Sequence, residues 1–553
     1  MAKFSNEIKA YALKNVLEFD KTDAGKILPK LFQHGLQKEE IKEIMPEIQK
    51  IVKEVNHISK EQREKLFLEY KKFMKEHEEK EKGLPELPSS HKKVVLRIAP
   101  FPSGALHIGN AKTFVLNALY AEKYKGELIL VMDDTIGSAE KTVEEESYKL
   151  IKDALDWLKI NYSKTLYKSD RLKTYYKYAE QLIKKDKAYV CHCSQPELKE
   201  NREKGTECGC RQLPSNLQLK RWKEMFKLKE GKATLRIKTN MMHPNPAFRD
   251  RVLFKISDRK HPRVGNKYRV WPTLEMSWAI DDHVLGITHI IRGNDLTIES
   301  EMEKYIWDIF NWSHPVIIHT GLIRIEGIEG AKVSKSKSQQ EIKSGQFTGW
   351  DDPRTWSIQS LARRGIKPEA IRDFIESIGL NKQDITVPID ALYSINRSII
   401  DSKADRYSFI EDPIKLNITK KPDWKTIEIP KHPDKNEKRI IELNDIFISK
   451  KDYDALKGKE IRLLHLYNIE LNKEGKVTSI DNKNIQKINW ISNYVKAKIL
   501  LSDGKWLEGI VDEGVKNLKK NELIQFERFG FVKFDSVKKL NNEDVYEFWF
   551  AHK

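Results

Sequence analysis

The sequence predicts a multidomain α/β protein: a Rossmann-type parallel sheet, preceded by a helical appendage and followed by two antiparallel β-barrels. Three observations carry this expectation. At 553 residues the chain exceeds what one hydrophobic core holds, since single cores stop growing near ~250–300 residues. From Val94 the pattern runs strand, helix, strand, helix, the alternation of a parallel sheet. After about Asn396 it gives way to short β-prone runs separated by turns.

Residues 1 to about 90 read as helices. Ser59-Lys-Glu-Gln62 is a capping box, and Leu66, Phe67, Tyr70, Phe73 and Met74 follow at helical spacing. This stretch names no chemistry: a docking or RNA-stabilising module and a packing appendage fit it equally. Gly83 to Ser90 reads as a linker. Val94–Ile98 is a short apolar strand, Ala111–Tyr124 an amphipathic helix and Glu127–Met132 a second strand. Thr142-Val-Glu-Glu145 reads as another capping box, opening a helix whose Leu150, Ile151, Ala154, Leu155 and Leu158 share a side. A cysteine cluster and a long basic stretch to about Pro262 interrupt the alternation. Strands resume at His289–Arg292 and Pro315–His319, residues 346–395 return to helix, and Glu460–Tyr467, Val495–Leu501 and Leu523–Val532 are β-prone.

The net charge is +18 and the pI about 9.2, a balance that suits a polyanionic partner, because Lys and Arg displace counterions from phosphates. A lysine-rich proteome is the plainer explanation. No run of ~18 apolar residues is present, so no membrane span is expected. Met1 to Ile8 carries charge early and no long apolar core, so no secretory leader is expected, and a cytoplasmic setting follows by default.

All four cysteines lie in Cys191-His-Cys193 and Cys208-Gly-Cys210. Two thiolate pairs closing a short loop suit a tetrahedral structural Zn²⁺ better than free thiols or a redox pair, although the one-residue spacing is tighter than the usual knuckle. His192, between two of them, is expected to face solvent.

The turn after the first strand, Pro102-Ser103-Gly104, leads to His107-Ile-Gly109-Asn110 at a helix start, where free N–H groups and the dipole favour phosphate. Far downstream, Lys332-Val333-Ser334-Lys335-Ser336 can follow charge as it builds on phosphates; read alone, it is an exposed basic linker. Arg97, Asp133 and Arg292 fall at predicted strand ends, where ligands of open parallel sheets sit. One carboxylate opposite two cations is how a pocket would hold an acidic amino acid: Asp133 for the α-ammonium, Arg97 and Arg292 for carboxylates. Each of the three is also an ordinary candidate for a structural ion pair.

These motifs resemble the two ATP-handling signatures of class I aminoacyl-tRNA synthetases, usually His-Ile-Gly-His and Lys-Met-Ser-Lys-Ser, and more closely the glutamyl-tRNA synthetases of archaeal type. Similar stretches include Asp133-Asp-Thr135, Ala279 to His289, Trp350-Asp-Asp-Pro-Arg354, Ser394-Ile-Asn-Arg397, Gln525 to Phe531 and Phe548-Trp-Phe550. The resemblance implies six segments: 1–90, helical appendage and linker; 91–170, first half of the catalytic sheet; 171–263, acceptor-stem insertion with the zinc module; 264–330, second half; 331–395, signature loop and helical stem-contact region; 396–553, two anticodon-binding β-barrels. It also implies ligation of L-glutamate to tRNA(Glu) through glutamyl-adenylate. Pro102, Ser103, Gly104, His107, Gly109, Asn110, Lys332, Ser334 and Lys335 would bind ATP with Mg²⁺. His107, Asn110, Lys332 and Lys335 would act on its phosphates. Arg97, Asp133 and Arg292 would grip glutamate, with Trp271 or Trp278 as a wall. Arginine at position 292 points to glutamate over glutamine, because a guanidinium facing an amide lacks a full partner. A monomer is expected, with glutamate also placed on tRNA(Gln) for a later tRNA-dependent amidotransferase. A glutaminyl-tRNA synthetase and a non-catalytic tRNA-binding paralogue are the alternatives. Three positions depart from the family pattern: Asn110, Leu274 in place of a tyrosine, and Asp134-Thr-Ile-Gly137.

Overall fold

Alternating short apolar strands and amphipathic helices fold as their period requires. The computed structural model describes residues 4–19, 21–74, 83–89, 93–136, 142–327 and 335–553, in two units, Met1–Lys82 and Gly83–Lys553.

In the smaller unit, helices Ser5–Phe19, Ala24–Leu31, Ile41–His57 and Lys60–Tyr70 close around Ile8, Leu13, Val16, Ile27, Ile48 and Val55. The capping box at Ser59 and Gln62 forms in both directions.

In the larger unit, β1 (Val95–Ile98), β2 (Glu127–Met132) and β3 (Lys164–Tyr167) pair in parallel. An antiparallel sheet follows: β4 (Ala188–Cys191), β5 (Thr234–Ile237), β6 (Val252–Ile256) and β7 (Val270–Pro272). The chain then returns with β8 (His289–Gly293) and β9 (Val316–Thr320), a second parallel pair. Thr288, just ahead of β8, joins the two pairings: its N–H donates to Val95 O at 2.9 Å, and its hydroxyl accepts from Val95 N at 2.8 Å. The strand order across the centre is therefore 3-2-1-8-9. Arg97, Asp133, Lys168 and Arg292 all end up at the carboxyl ends of their strands, which sets up the site.

Helix Ile108–Lys123 covers the sheet with Ala111, Val115, Leu116 and Ala118 buried. The stretch Gly83–Ser89 packs on this larger unit, with Leu84 and Leu87 in its core and Leu87 N donating to Tyr124 Oη at 2.8 Å. Thr142 does not cap the next helix. Glu144 holds the cap position of Glu145–Trp157, and Thr142 donates to the Glu144 carboxylate instead (2.9 Å), because Glu144 is itself drawn toward a later helix. The expected helical run 346–395 contains helices Ile358–Arg364 and Pro368–Ile378 and part of Ile389–Ile400. It also contains the strand Ile385–Pro388, which pairs in parallel with Ile323–Glu326, a partner no local pattern reveals.

The C-terminal part is β-rich, with two larger sheets and two two-stranded pairs, Pro413–Leu416 with Ile446–Ser449 and Thr426–Pro430 with Lys438–Glu442. A seven-stranded sheet is bounded by strands Asp405–Tyr407 and Phe409–Glu411, which are separated in sequence by Ser408 alone, so the sheet curls round a core of Tyr407, Ile499, Val511, Phe526 and Phe548. A five-stranded sheet packs Ile461, Leu463, Ile469 and Trp490 in a separate cluster.

Candidate amino-acid and nucleotide site

The turn Pro100–Leu106 leaves β1 and lies against the end of β2, with Asp133 N donating to Pro100 O at 3.0 Å. Gly104 has φ +144, and a side chain there would run into the Trp350 indole, so glycine is required on both counts. His107 caps the helix that follows: its Nδ1 accepts from Asn110 N at 3.4 Å. Gly109 leaves room for that ring, since a Cβ there would meet it at 3.1 Å. The buried side-chain Oδ1 of Asn110 has no hydrogen-bond partner among the described residues. Ile358 N donates to Leu106 O at 2.8 Å, so the distant Trp350–Ile358 segment closes over the turn.

Lys332 and Ser334 lie outside the described residues, as does Gly137; Lys335 opens the helix Lys335–Lys343. That helix docks beside the turn. Gln339 Nε2 and Lys343 Nζ donate to the Glu144 carboxylate at 2.9 and 3.2 Å, while Glu144 N donates to Pro102 O at 2.9 Å. The residues after the second motif are thereby tied to the first.

Arg97, Asp133 and Arg292 converge as expected, around an indole. The Arg97 and Arg292 guanidinium carbons lie 4.4 and 5.1 Å from the Trp278 ring centroid, and Lys168 Nζ lies 4.8 Å from it. Each ion is already paired. Arg97 grips Asp282 through Nε and Nη2, the latter at 2.9 Å. Asp133 Oδ1 is 3.0 Å from Lys168 Nζ, which also donates to Ser277 Oγ at 2.9 Å. Arg292 places both terminal nitrogens on Glu303, Nη1 at 2.8 Å. Burial alone would push the Arg97 guanidinium down, but Asp282, joined by Glu303 and Asp133, outweighs it and leaves it raised. Burial pushes the Lys168 ammonium down and the Glu303 carboxyl up.

Trp271 is fully buried in β7, stacked on His261 at 5.1 Å, while the ring over which both arginines lie is that of Trp278. Trp278 stands four residues into the helix Leu274–Val284, which Leu274 begins half-buried. Sequence reasoning missed Lys168, Asp282 and Glu303. The adjacent acids Asp281-Asp282 within an otherwise apolar helix were the available signal, because two neighbouring buried carboxylates require two cations.

The four cysteine sulfurs lie within 4.8 Å of one another, and Cys191 and Cys208 Sγ are 3.7 Å apart. The edge of a Zn–thiolate tetrahedron with bonds of about 2.3 Å is ~3.8 Å, so the cluster fits the ion. No disulfide forms among them. The Cys191 thiol donated to Cys208 holds the latter down at about 5, while the same bond and burial push Cys191 up. His192 is exposed, its Nδ1 3.1 Å from Lys232 O. A further cleft of about 640 Å³ in the C-terminal part is lined by Arg406, Gln486, Lys487, Gln525 and Arg528. Arg406 Nε and Gln525 Oε1 are buried there without partners among the described residues.

Residues 93–402 match the model of the catalytic domain of class I tRNA synthetases for glutamate and glutamine; residues 404–488 and 470–535 match two models of their anticodon-binding domains. The chain belongs to this family. Relatives agree along the whole length. A glutamate–tRNA ligase of Pyrococcus furiosus is 41% identical over 98% of each chain. One of Methanocaldococcus jannaschii is 37% identical over 99% of this chain and 100% of that one. A solved glutamate tRNA ligase of Elizabethkingia meningosepticum, in complex with its amino acid, is 20% identical over 57% of this chain and 70% of that one, with a TM-score of 0.42. Within the family frame, the paired strands β1–β3 and β8–β9 form the catalytic sheet, and the Trp278 cluster stands at its carboxyl edge. No helix among the described residues is long and apolar enough to cross a membrane.

Proposed function

We infer that this chain joins L-glutamate to the 3′ end of tRNA(Glu) at the expense of ATP, through glutamyl-adenylate, releasing AMP and pyrophosphate. The observation that carries this reading is full-length likeness to relatives that bear that activity in their names. Arg292, a buried guanidinium at the carboxyl end of β8, supports glutamate over glutamine.

The glutamate carboxylate attacks the α-phosphate of ATP, and the terminal ribose hydroxyl of the tRNA then displaces AMP. Positioning and charge stabilisation supply the catalysis, with no covalent enzyme intermediate. The Pro102–Gly104 turn and the helix start at His107, Gly109 and Asn110 hold the nucleotide, and Lys332, Ser334 and Lys335 complete its phosphate contacts. Mg²⁺, carried with ATP, screens the phosphate charge. Asp133 takes the α-ammonium, Arg97 and Arg292 take carboxylates, and Trp278 replaces Trp271 as the wall.

The six-segment domain plan and two closed C-terminal barrels holding the anticodon belong to the same proposal. The Arg406–Gln525 cleft, with its orphaned polar atoms, suits an unpaired base. Cys191, Cys193, Cys208 and Cys210 hold a structural Zn²⁺ in the acceptor-stem insertion. The protein works as a cytoplasmic monomer and also glutamylates tRNA(Gln), feeding a tRNA-dependent amidotransferase.

Aminoacylation of purified tRNA(Glu) and tRNA(Gln) with labelled glutamate and glutamine tests this, with Arg292→Cys as control. Glutamate is transferred to both tRNAs, and the transfer collapses in the variant. Transfer of glutamine, or of neither, overturns the reading; glutamate on tRNA(Glu) alone removes the amidotransferase link.

A further inference from the structure

Each side chain assigned to grip glutamate already holds, within this chain, a group of the kind it would take from the substrate. Asp133 holds an ammonium, that of Lys168, at 3.0 Å. Arg97 holds the carboxylate of Asp282, and Arg292 that of Glu303. The pocket is therefore charge-compensated on its own.

The Arg292 pair differs from the Arg97 pair in what it leaves over. Both Arg292 terminal nitrogens end on Glu303, whose side chain is fully buried in the helix Thr297–Phe310. Arg292 Nε and the neighbouring Trp278 Nε1 are buried donors with no hydrogen-bond partner among the described residues. A guanidinium whose fork is filled by one carboxylate cannot offer the same fork to a second. Unpaired buried donors beside it mark where an acceptor belongs.

We propose that Glu303 sets this pocket's affinity for glutamate: its carboxylate occupies the Arg292 fork, and the side-chain carboxylate of the amino acid must compete with it for that fork. Burial pushes the Glu303 carboxyl up, so a proton can neutralise it once Arg292 turns to the substrate, leaving no orphaned charge behind. Glu303 acts through Arg292 and is a positioning residue. The proposal rests on the assignment of Arg292 to the substrate's side-chain carboxylate.

The test is Glu303→Gln, assayed by aminoacylation of tRNA(Glu) across glutamate concentrations and by thermal melts with and without glutamate. The KM for glutamate is expected to fall about tenfold, the worth of one charge-assisted hydrogen bond. The KM for ATP stays unchanged, and glutamate raises the Tm more in the variant than in the parent. A KM for glutamate that is unchanged or raised overturns the proposal, since a mere buttress for Arg292 would give that result. Glu303→Asp keeps the charge but draws the carboxylate back by one methylene. It is expected to give a smaller fall, and its result decides if Glu303→Gln does not fold. Arg292→Cys separates the two layers. Wild-type glutamate use in that variant defeats the assignment of Arg292 itself. Loss of glutamate use there, with the KM of Glu303→Gln unmoved, defeats the role of Glu303 alone.

Discussion

The turn proposed to hold the nucleotide and the pocket proposed to hold the amino acid leave the same edge of one parallel sheet, yet they are built in opposite ways. The turn is backbone and small residues: Gly104 under the Trp350 ring, His107 as a helix cap, Gly109 making room for it. Apart from the covering Trp350, its parts are contiguous in sequence. The pocket is an assembly of buried charges from distant segments, with Arg97 and Asp282 separated by 185 residues. A turn of this kind fails through steric displacement, whereas a charge cluster fails through an unpaired ion. Each kind of failure can be provoked separately.

The largest effect is expected at the turn. In Gly104→Val the side chain meets both a left-handed φ of +144 and the Trp350 indole. The turn must move, and a displacement of about 1 Å at reacting atoms costs roughly a hundredfold. Glutamate- and tRNA-dependent ATP–pyrophosphate exchange should fall by at least about that factor while the melting profile shifts little. Retained exchange would show that the turn is slack and the contrast with the pocket overstated.

A smaller effect is expected at the cysteine cluster, which combines the two designs: a local motif whose function depends on charge. In Cys208→Ser the tetrahedron loses one of its four thiolates. Elemental analysis should show Zn²⁺ in the parent and none in the variant, and the KM for tRNA should rise about tenfold. Equal metal content in both proteins removes zinc from the account.

This contrast also explains what could be read from the sequence. Val95–Ile98, Glu127–Met132 and the helix between them were legible because period and turn chemistry are local. So were Arg97, Asp133 and Arg292, since strand ends can be located from pattern alone. Their counter-ions were not: Glu303 looks like any acid on an amphipathic helix until the fold turns it inward against β8. Trp271 and Trp278 are seven residues apart, and periodicity does not say which one faces the arginines. The strand Ile385–Pro388 was hidden by its helical surroundings, and Thr142 was misread because Glu144 had a better partner in Gln339 and Lys343.

The smallest effect on activity is expected at His552, an ionisable group kept neutral by burial and by the nearby Arg397 and Arg364, with no counter-charge of the pocket's kind. Its Nε2 accepts from Asn396 Nδ2 at 2.9 Å, and its Nδ1 lies 2.8 Å from Lys553 O, an arrangement that satisfies the neutral ring. Burial lowers its pKa to about 4 from the ordinary 6.5. The folded chain therefore binds fewer protons here than the unfolded chain between those values. Stability is complete above pH ~6.5 and declines as pH falls toward ~4, by about 1.4 kcal/mol per pH unit. Hydrogen exchange in the strand Glu543–His552 should slow less than its intrinsic rate does as pH falls from 6.5 to 5.5, and His552→Gln should abolish that excess. Aminoacylation at pH 7.5 should be untouched. An excess that survives His552→Gln would assign the acid sensitivity to the buried ion pairs instead, where lost carboxylate charge, not a gained imidazolium, breaks the fold.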